Sequence, residues 1–317
     1  MTKGLLLVNL GSPTAPTPEA VKTFLRDFLG DKNVVEMPQL LWKPILHGMI
    51  LPFRSKYSAA LYQHIWQNYG SPQIYYTSKI QKEVQRLLPD WQVEIAMTYG
   101  EPNIVDTLQQ MHNNGCDNIT VLPLFPQYTK STHDTIIEQA KSANVPITII
   151  KKFFNEPEYI NILAHKIQEE WDQDDYDQLI FSYHGIPQAM VKHGDPYEAE
   201  CITTTAATSA KLNIPKEKIM TVYQSRFGPM PWLQPYLKQT LPKLVSEGKK
   251  NILLVTPSFT ADCLETLEED GIRNYKTFKN SGGNKYKLVP PMNDDVDFSA
   301  FIAELTVEYS LKQKAEN

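Results

Sequence analysis

One histidine lies where a predicted buried strand ends and a turn begins. His184 follows the apolar run Leu179-Ile180-Phe181 and precedes Gly185-Ile186-Pro187. In open α/β sheets, ligands bind outside the carboxyl ends of the strands. An imidazole at such a position can bind a metal or transfer a proton. We therefore take His184 as a candidate functional residue, whereas the other six histidines lie in contexts typical of surface or packing residues.

A carboxylate-rich string follows a second apolar run, residues 252–255, and holds Asp262, Glu265, Glu268 and Glu269. A helix that begins near Asp262 would place Asp262, Glu265 and Glu269 on one face. Capping by Asp262 and helix-dipole stabilisation of Glu268 and Glu269 are alternatives that need no function. Glu265 lies between two leucines and should be partly buried, which is rare for a carboxylate without a partner or a task. The string and His184 together predict a site that handles a cation, protons or both.

Two further strings at predicted strand ends are rich in aromatic residues. Residues 223–233 offer an amide, a cation and a tryptophan, and residues 125–132 repeat the arrangement in the first half of the chain. Aromatic side chains at several strand ends favour a flat hydrophobic ligand. Neither of the glycine patterns that bind nucleotide phosphates occurs, which argues against a nucleotide enzyme.

The sequence contains one internal repeat. The run Leu5 to Pro13 matches Leu179 to Pro187, and the segments after Gly115 and Gly248 match each other. The pattern predicts two α/β halves, each with a parallel sheet, although short buried strands can also resemble one another by chance. The first half is longer, and its extra stretch falls at about residues 33–74. Its apolar, proline-rich part, residues 37–53, could pack on the core, form a lip over a large flat ligand or touch a membrane surface.

Bulk properties narrow the classes of protein. The 317 residues suggest about two domains, and 42% apolar residues can form a core. A net charge of −5 gives no basic surface for nucleic acid. The three cysteines form no CxxC pair, so neither a disulfide framework nor a thiolate zinc site is predicted, and a reducing cytoplasm fits. Residues 4–8 read better as a strand than as part of a signal peptide, and no segment reaches the ~18 apolar residues of a membrane span.

The chain resembles the ferrochelatase family in seven short strings, which occur in the same order and extend along nearly the whole chain. They are LLVNLGSP from Leu6, GSP from Gly70, PQY ending at Tyr128, SYHGIP from Ser182, HGDPY from His193, QSRFGPMPWL from Gln224 and DCLETLEE from Asp262. The resemblance implies an α/β fold of two flavodoxin- or Rossmann-like domains, each with a parallel β-sheet flanked by helices, and a porphyrin cleft between them. The expected domains are 1–154 with the insertion, 155–296 with the metal site, and a C-terminal helix and tail, 297–317, that packs on the first domain.

The resemblance also assigns roles by position. His184 and Glu265 fall on the family's iron-site and catalytic residues. Asp262 and Glu269 match acids that support the site or relay protons. Expected porphyrin contacts fall on four residues: Ser71, Tyr99, Tyr128 and Trp232.

The implied activity is insertion of Fe²⁺ into a porphyrin in haem biosynthesis, by a cytoplasmic monomer with no permanently bound cofactor. Coproporphyrin III is favoured as the substrate over protoporphyrin IX. A sirohydrochlorin or cobalt chelatase and a non-enzymatic porphyrin or haem carrier are the alternatives. A peripheral membrane contact through residues 37–53 is a further expectation.

The sequence departs from the family pattern at three positions. Lys130 occupies one position where a cysteine of an animal-type [2Fe–2S] cluster would fall, so no cluster is expected. Leu10 stands where some Gram-positive members have a tyrosine that contacts the product. Thr98 stands where an arginine often precedes Tyr99, which puts a carboxylate contact from that position in doubt.

Overall fold

The structure is a computed structural model that describes residues 2–316, with side chains described for residues 3–312. Asn317, the end of the predicted C-terminal segment, lies outside the described residues. The chain divides into two compact units. The first comprises Met1–Phe125, Thr129–Lys152 and Asn293–Asn317, and the second comprises Pro126–Tyr128 and Phe153–Met292.

A parallel four-stranded sheet forms the centre of the first unit. Its strands are β1 (Thr2–Asn9), β2 (Trp91–Met97), β3 (Cys116–Pro123) and β4 (Ile147–Ile149), in the order β2-β1-β3-β4. The four side chains of residues 5–8 are fully buried. A central parallel strand is covered on both faces, which explains why the sequence of β1 is a continuous apolar run instead of an alternating one.

Six helices and one short π-helix of the first unit lie before residue 153. They are α1 (Pro18–Gly30), α2 (Gln39–Ile45), the π-helix Leu46–Ile50, α3 (Leu51–Ile65), α4 (Pro72–Leu87), α5 (Ile104–Asn113) and α6 (Lys130–Ser142). Thr17 caps the start of α1, because its hydroxyl accepts a hydrogen bond from the backbone N–H of Ala20 at 3.3 Å. One core cluster packs α5 and α6 against β1 and β3.

The extra stretch of the first half folds into α2, the short π-helix and α3, and its apolar residues are largely exposed. Leu40 is 91% exposed and Phe53 78%, and Leu41, Met49 and Tyr57 are also exposed. Trp42 and Leu46 are buried and attach the segment to the unit, and the Trp42 indole donates to the carbonyl of Leu29 at 2.6 Å. We call residues 37–57 the apolar segment. It is anchored to the core but leaves an apolar face in solvent.

The second unit repeats the sheet of the first. Its strands are β5 (Gln178–His184), β6 (Ile219–Gln224), β7 (Asn251–Val255) and β8 (Lys285–Leu288), all parallel and in the order β6-β5-β7-β8. Its helices are α7 (Pro157–Trp171), α8 (Gln188–Lys192), α9 (Tyr197–Ser209), the 3-10 helix Lys216–Lys218, α10 (Leu237–Ser246), the π-helix Leu264–Asn274 and α11 (Tyr275–Asn280). The expected fold class, two α/β domains with parallel sheets flanked by helices, is confirmed.

The last helix, α12 (Val296–Glu316), belongs to the first unit, where it packs against α4. Among the described residues, no helix combines the length and the apolar character that a membrane crossing requires.

Candidate active site

His184 is the last residue of β5, the central strand of the second sheet, and is half-buried. Its ring nitrogen Nδ1 lies 2.7 Å from the carbonyl oxygen of Gly185, and its backbone N–H donates to the Ser258 hydroxyl at 3.3 Å. A carbonyl can only accept, so Nδ1 must be the protonated nitrogen. The neutral imidazole therefore carries its lone pair on Nε2, where it can bind a metal or accept a proton.

Two aromatic rings flank this imidazole. The ring centroid of Trp232 is 6.2 Å from that of His184, and the centroid of Phe259 is 6.3 Å away. Trp232 is itself half-buried and is held by its neighbours, because its backbone N–H donates to the hydroxyl of Tyr236 at 3.2 Å. The surroundings of His184 thus combine a lone pair with flat apolar surfaces, which suits an aromatic macrocycle better than a small polar substrate.

Gln224 connects the histidine to the carboxylate string. It is the last residue of β6 and pairs with His184 in the sheet register. Its side-chain Oε1 accepts from the Ser182 hydroxyl at 2.6 Å, and its Nε2 donates to the backbone carbonyl of Glu265 at 3.4 Å. His184, Gln224 and Glu265 are therefore brought to one edge of the second sheet, as expected for residues at the carboxyl ends of parallel strands.

The carboxylate string forms a π-helix, Leu264–Asn274, and the predicted arrangement of its acids is wrong in two respects. Asp262 lies before the helix, which is capped by Cys263. A π-helix closes hydrogen bonds between residues i and i+5, so residues four and five positions apart lie above one another, and the i, i+3, i+7 spacing does not define a face. The acid above Glu265 is consequently Glu269 or Asp270.

Asp262 is buried and organises the start of this helix without capping it. Its Oδ1 accepts from the hydroxyl of Thr266 at 2.7 Å. The Thr266 oxygen in turn accepts from the backbone N–H of Cys263 at 3.0 Å. Asp262 therefore does not cap the helix directly. It fixes the hydroxyl of Thr266, which accepts the backbone N–H of Cys263 at the start of the helix.

Glu269 holds the loop that follows β6. Its Oε1 accepts from the backbone N–H of Ser225 at 2.9 Å, and its Oε2 accepts from the Ser225 hydroxyl at 2.7 Å. Ser225 adopts a left-handed conformation with φ of 65°, which a non-glycine residue takes only when its surroundings fix it. Glu269 thus has a structural task in addition to any role in proton transfer.

The neighbouring acid, Asp270, was missed by the sequence analysis. It is fully buried, its Oδ1 accepts from the Asn274 amide at 2.8 Å, and its backbone carbonyl accepts from the Tyr286 hydroxyl at 2.9 Å. Burial, together with the nearby Glu269 carboxylate, raises the pKa of Asp270 well above its usual range. Its position in an acidic string gave no signal of burial, because an α-helical period would have exposed it.

The other expected porphyrin contacts lie in both units. Tyr128 belongs to the second unit, is half-buried, and its backbone N–H donates to the buried carboxylate of Glu200 at 2.7 Å. Ser71 and Tyr99 belong to the first unit, and both are buried. Tyr99 lines a cavity of about 590 Å³ in that unit, bordered also by residues of α1 and of the apolar segment.

The hydroxyl of Tyr99 donates to Oδ2 of Asp31 at 2.8 Å, and the phenol packs against Phe24 and Phe28. Burial and the Asp31 charge raise the pKa of Tyr99 above its ordinary value, so the phenol stays protonated. Tyr99 therefore offers an aromatic edge and not a base.

Within the described residues, no three His, Cys, Asp or Glu side chains are close enough to hold a metal ion. Resident metal sites normally supply three or four protein ligands. At the carboxyl edge of the second sheet, His184 supplies one imidazole and Glu265 one carboxylate.

Solved structures first define the class of fold. The chain is similar to SirB from Bacillus subtilis with Fe³⁺ (TM-score 0.60, 11% identity, covering 99% of this chain and 98% of that chain). It is also similar to CbiX, described as the terminal enzyme of sirohaem biosynthesis in denitrifying bacteria (TM-score 0.55, 13% identity, covering 95% and 97%). At such identities the likeness shows a chelatase fold and no more.

The family follows from sequence. The model of the ferrochelatase family matches residues 2–310. The chain is 53% identical over 318 residues to the coproporphyrin III ferrochelatase of Lactiplantibacillus plantarum, covering 100% of this chain and 97% of the relative. It is 43% identical over 304 residues to that of Lactococcus lactis subsp. cremoris, covering 96% of each. The chain belongs to the ferrochelatase family, whose members are porphyrin metal chelatases of haem biosynthesis.

Proposed function

We propose that this protein inserts Fe²⁺ into coproporphyrin III, and that His184 and Glu265 are the residues that act on the metal and the pyrrole protons. The observation that carries the proposal is the imidazole of His184, which has Nδ1 fixed on the Gly185 carbonyl and Nε2 left as the lone-pair atom beside two aromatic rings. A rigid lone pair next to a flat apolar surface suits a metal entering the face of a macrocycle.

The reaction requires a base as well as a metal ligand. A free-base porphyrin has two pyrrole N–H groups, and both protons must leave as one Fe²⁺ enters. His184 Nε2 can hold the metal or accept a proton, and the half-buried carboxylate of Glu265 can take the other role. Asp262 supports this helix through Thr266, and Glu269 would carry protons on from Glu265. The proposed porphyrin contacts are Trp232 and Tyr128 in the second unit, and Tyr99 and Ser71 in the first.

Coproporphyrin III is the proposed substrate because the relatives at 43–53% identity carry that name. Protoporphyrin IX is the second candidate, since the exposed apolar segment suits its apolar vinyl groups. The two substrates are compared in one assay of Fe²⁺ insertion under anaerobic conditions, with sirohydrochlorin as a third arm. A higher kcat/KM with coproporphyrin III is expected. Faster insertion into protoporphyrin IX would replace the proposed substrate, and insertion into sirohydrochlorin alone would overturn the porphyrin assignment.

The substitution Glu265→Gln separates an enzyme from a porphyrin or haem carrier. The amide keeps the size of the side chain but accepts no proton, and loss of a general base costs about 10²–10⁴-fold in kcat. A carrier would bind porphyrin equally well with or without this carboxylate. Glu217→Gln, at an exposed position in the same unit, is the matched control and should leave the rate unchanged. An unaltered rate of insertion by Glu265→Gln would contradict the mechanism.

The same proposal includes a peripheral contact of the apolar segment with a membrane surface. Its exposed leucine, methionine and phenylalanine side chains are accompanied by the cations Lys43, Arg54 and Lys56, a combination that favours anionic lipid. Co-sedimentation with vesicles that contain phosphatidylglycerol should therefore exceed that with neutral vesicles. Replacement of Leu40 and Phe53 by serine should abolish it, and retained binding by that variant would refute the contact.

We further propose a cytoplasmic monomer without an iron–sulfur cluster. The sequence has three cysteines, fewer than the four that usually ligate a cluster. All three are free and buried, as suits a reducing compartment. Analytical ultracentrifugation tests the oligomeric state, and the visible spectrum of the protein purified under anaerobic conditions tests the cluster.

A further inference from the structure

The π-helix Leu264–Asn274 carries one cation among its acids, Arg273, which no part of the proposed reaction uses. We propose that Arg273 is a charge gate: it keeps divalent cations away from Glu269, the outer acid of the row formed by Glu265 and Glu269, so that protons leave past Glu269 while Fe²⁺ reaches His184 and Glu265 by another route. This inference rests on the proposed ferrochelatase function and concerns the traffic through that same site.

The helix geometry places Arg273 at the end of the row. Residues four or five positions apart lie above one another in a π-helix, so Glu265 lies below Glu269, and Glu269 and Glu268 lie below Arg273. Side-chain exposure rises along the same direction, from 17% for Glu269 to 43% for Arg273. The guanidinium is therefore the solvent-facing end of a column of carboxylates.

Arg273 is held in this position by a buried partner. Its Nε donates to Oε2 of Glu268 at 2.5 Å, and the Glu268 side chain is only 2% exposed. A buried carboxylate is strongly destabilising without a charged partner, so the pair fixes the guanidinium against the helix. The Nη2 atom then lies 3.9 Å from Oε2 of Glu269.

The carboxylate of Glu269 is consequently surrounded by donors. Ser225 donates to it from its backbone N–H and from its hydroxyl, and Arg273 adds a positive charge. A divalent ion would have to displace these donors and approach a fixed cation. A proton carries half the charge of a divalent ion and needs no ligand shell, so the fixed cation opposes it less. The serine hydroxyl, which is both donor and acceptor, can pass it on.

The test is a titration of the porphyrin-free protein with Mn²⁺, followed by electron paramagnetic resonance. Removing Arg273 alone would take the guanidinium from the buried Glu268 carboxylate, so the main variant is the double substitution Glu268→Gln with Arg273→Gln. We expect it to bind Mn²⁺ more tightly than any equivalent site of the wild type, because the guanidinium lies 3.9 Å from Glu269. The gain should stay below the about tenfold effect of an isolated unit charge, since the double substitution also removes the negative charge of Glu268. Adding Glu269→Gln should abolish the gained site, and Arg273→Lys should behave as wild type.

Steady-state kinetics with Fe²⁺ supply the second readout. Mn²⁺ bound at Glu269 should block proton release, so inhibition of the double variant should be more potent than that of the wild type, by the same factor as the gain in Mn²⁺ affinity, and noncompetitive with Fe²⁺. Inhibition of the double variant that is competitive with Fe²⁺ and is relieved by adding Glu269→Gln would show that iron uses the row and would overturn the proposal. Unchanged Mn²⁺ binding in the double variant would also overturn it. Absence of Fe²⁺ insertion by the wild type would instead refute the proposed function. The gate would still be tested in that case, because Mn²⁺ binding is measured without turnover.

Discussion

The substitution Gly185→Ala tests whether the position of the imidazole limits the reaction. Gly185 follows His184 and accepts its Nδ1–H, and its backbone N–H donates to the carbonyl of Gln224 at 2.9 Å. A Cβ atom at this position would lie 2.9 Å from that carbonyl oxygen and 3.2 Å from Cε3 of Trp232. Neither neighbour is the end of a flexible chain, so the backbone at the end of β5 must move.

The size of the effect follows from these distances. An ordinary contact of a Cβ atom begins near 3.4 Å, so His184 and the Gln224 strand must separate by about 0.5 Å. A displacement of 1 Å at a reacting group can cost about 10²-fold in rate, so half of it should lower kcat about tenfold. Forcing a methyl group into a packed site also lowers the free energy of unfolding by about 1–3 kcal/mol. The porphyrin KM should change less than kcat, because most of the apolar contact surface is retained.

The assay compares kcat, KM for the porphyrin and urea unfolding for the wild type and two alanine variants. Gly48→Ala is the matched control, since a Cβ atom there meets no atom within 4 Å. The control should keep its activity and gain up to about 1 kcal/mol of stability, as expected for glycine replaced by alanine in a helix. A Gly185→Ala enzyme with normal kcat would refute the reasoning that the imidazole must be held to within a fraction of an ångström.

Three further outcomes are expected from urea unfolding. Gly11→Ala should lower the free energy of unfolding by about 3 kcal/mol or more, because Gly11 has φ of +105° and its Cβ would lie 1.9 Å from the Tyr99 carbonyl oxygen; a loss below 1 kcal/mol would contradict this. Tyr99→Phe should cost about 1 kcal/mol through loss of the hydrogen bond to Asp31, and an unchanged stability would mean that solvent replaces that bond. Burial lowers the pKa of His133 to about 3 from its ordinary 6.5, so the unfolded state binds the proton more readily between those values. Stability should therefore fall by about 1.4 kcal/mol per pH unit as the pH drops through that window, a slope that His133→Gln should remove and that, if retained, would exclude His133 as its source.

The architecture could be predicted from the sequence because its strongest signals are local. The two apolar runs ending at Leu10 and His184 are the central strands of two sheets with the same strand order, and Gly115 and Gly248 both take the positive φ expected after a helix. Both runs are buried on two faces, so the run itself identifies a parallel strand. The edge strands β4 and β8 are short and carry a weaker pattern.

The acidic string was harder to predict because its helix type depends on contacts that are distant in sequence. The spacing of Asp262, Glu265 and Glu269 fits an α-helix, but Glu269 is bound to Ser225 and the carbonyl of Asp270 accepts from Tyr286. Both partners lie outside the string, so no local period reveals them. The role of Arg273 could not be predicted for the same reason, because a charged residue in an acidic string usually lies on a solvent-exposed helix face.

The two units show how one scaffold acquires chemistry on one side only. Leu10 and His184 both lie at the carboxyl end of a central strand, and the residue after each is a glycine. A Cβ atom at either glycine would collide with the carbonyl oxygen of a neighbouring residue. The backbone is therefore constrained at both strand ends, more tightly at Gly11 than at Gly185, and either end could hold a side chain rigidly. Only the second unit has an imidazole at this position and a π-helix of acids after the neighbouring strand. Exchange of Leu10 for histidine would accordingly give a second rigid imidazole without carboxylates, and we expect it to bind metal without increasing the rate of insertion, because proton removal still depends on Glu265.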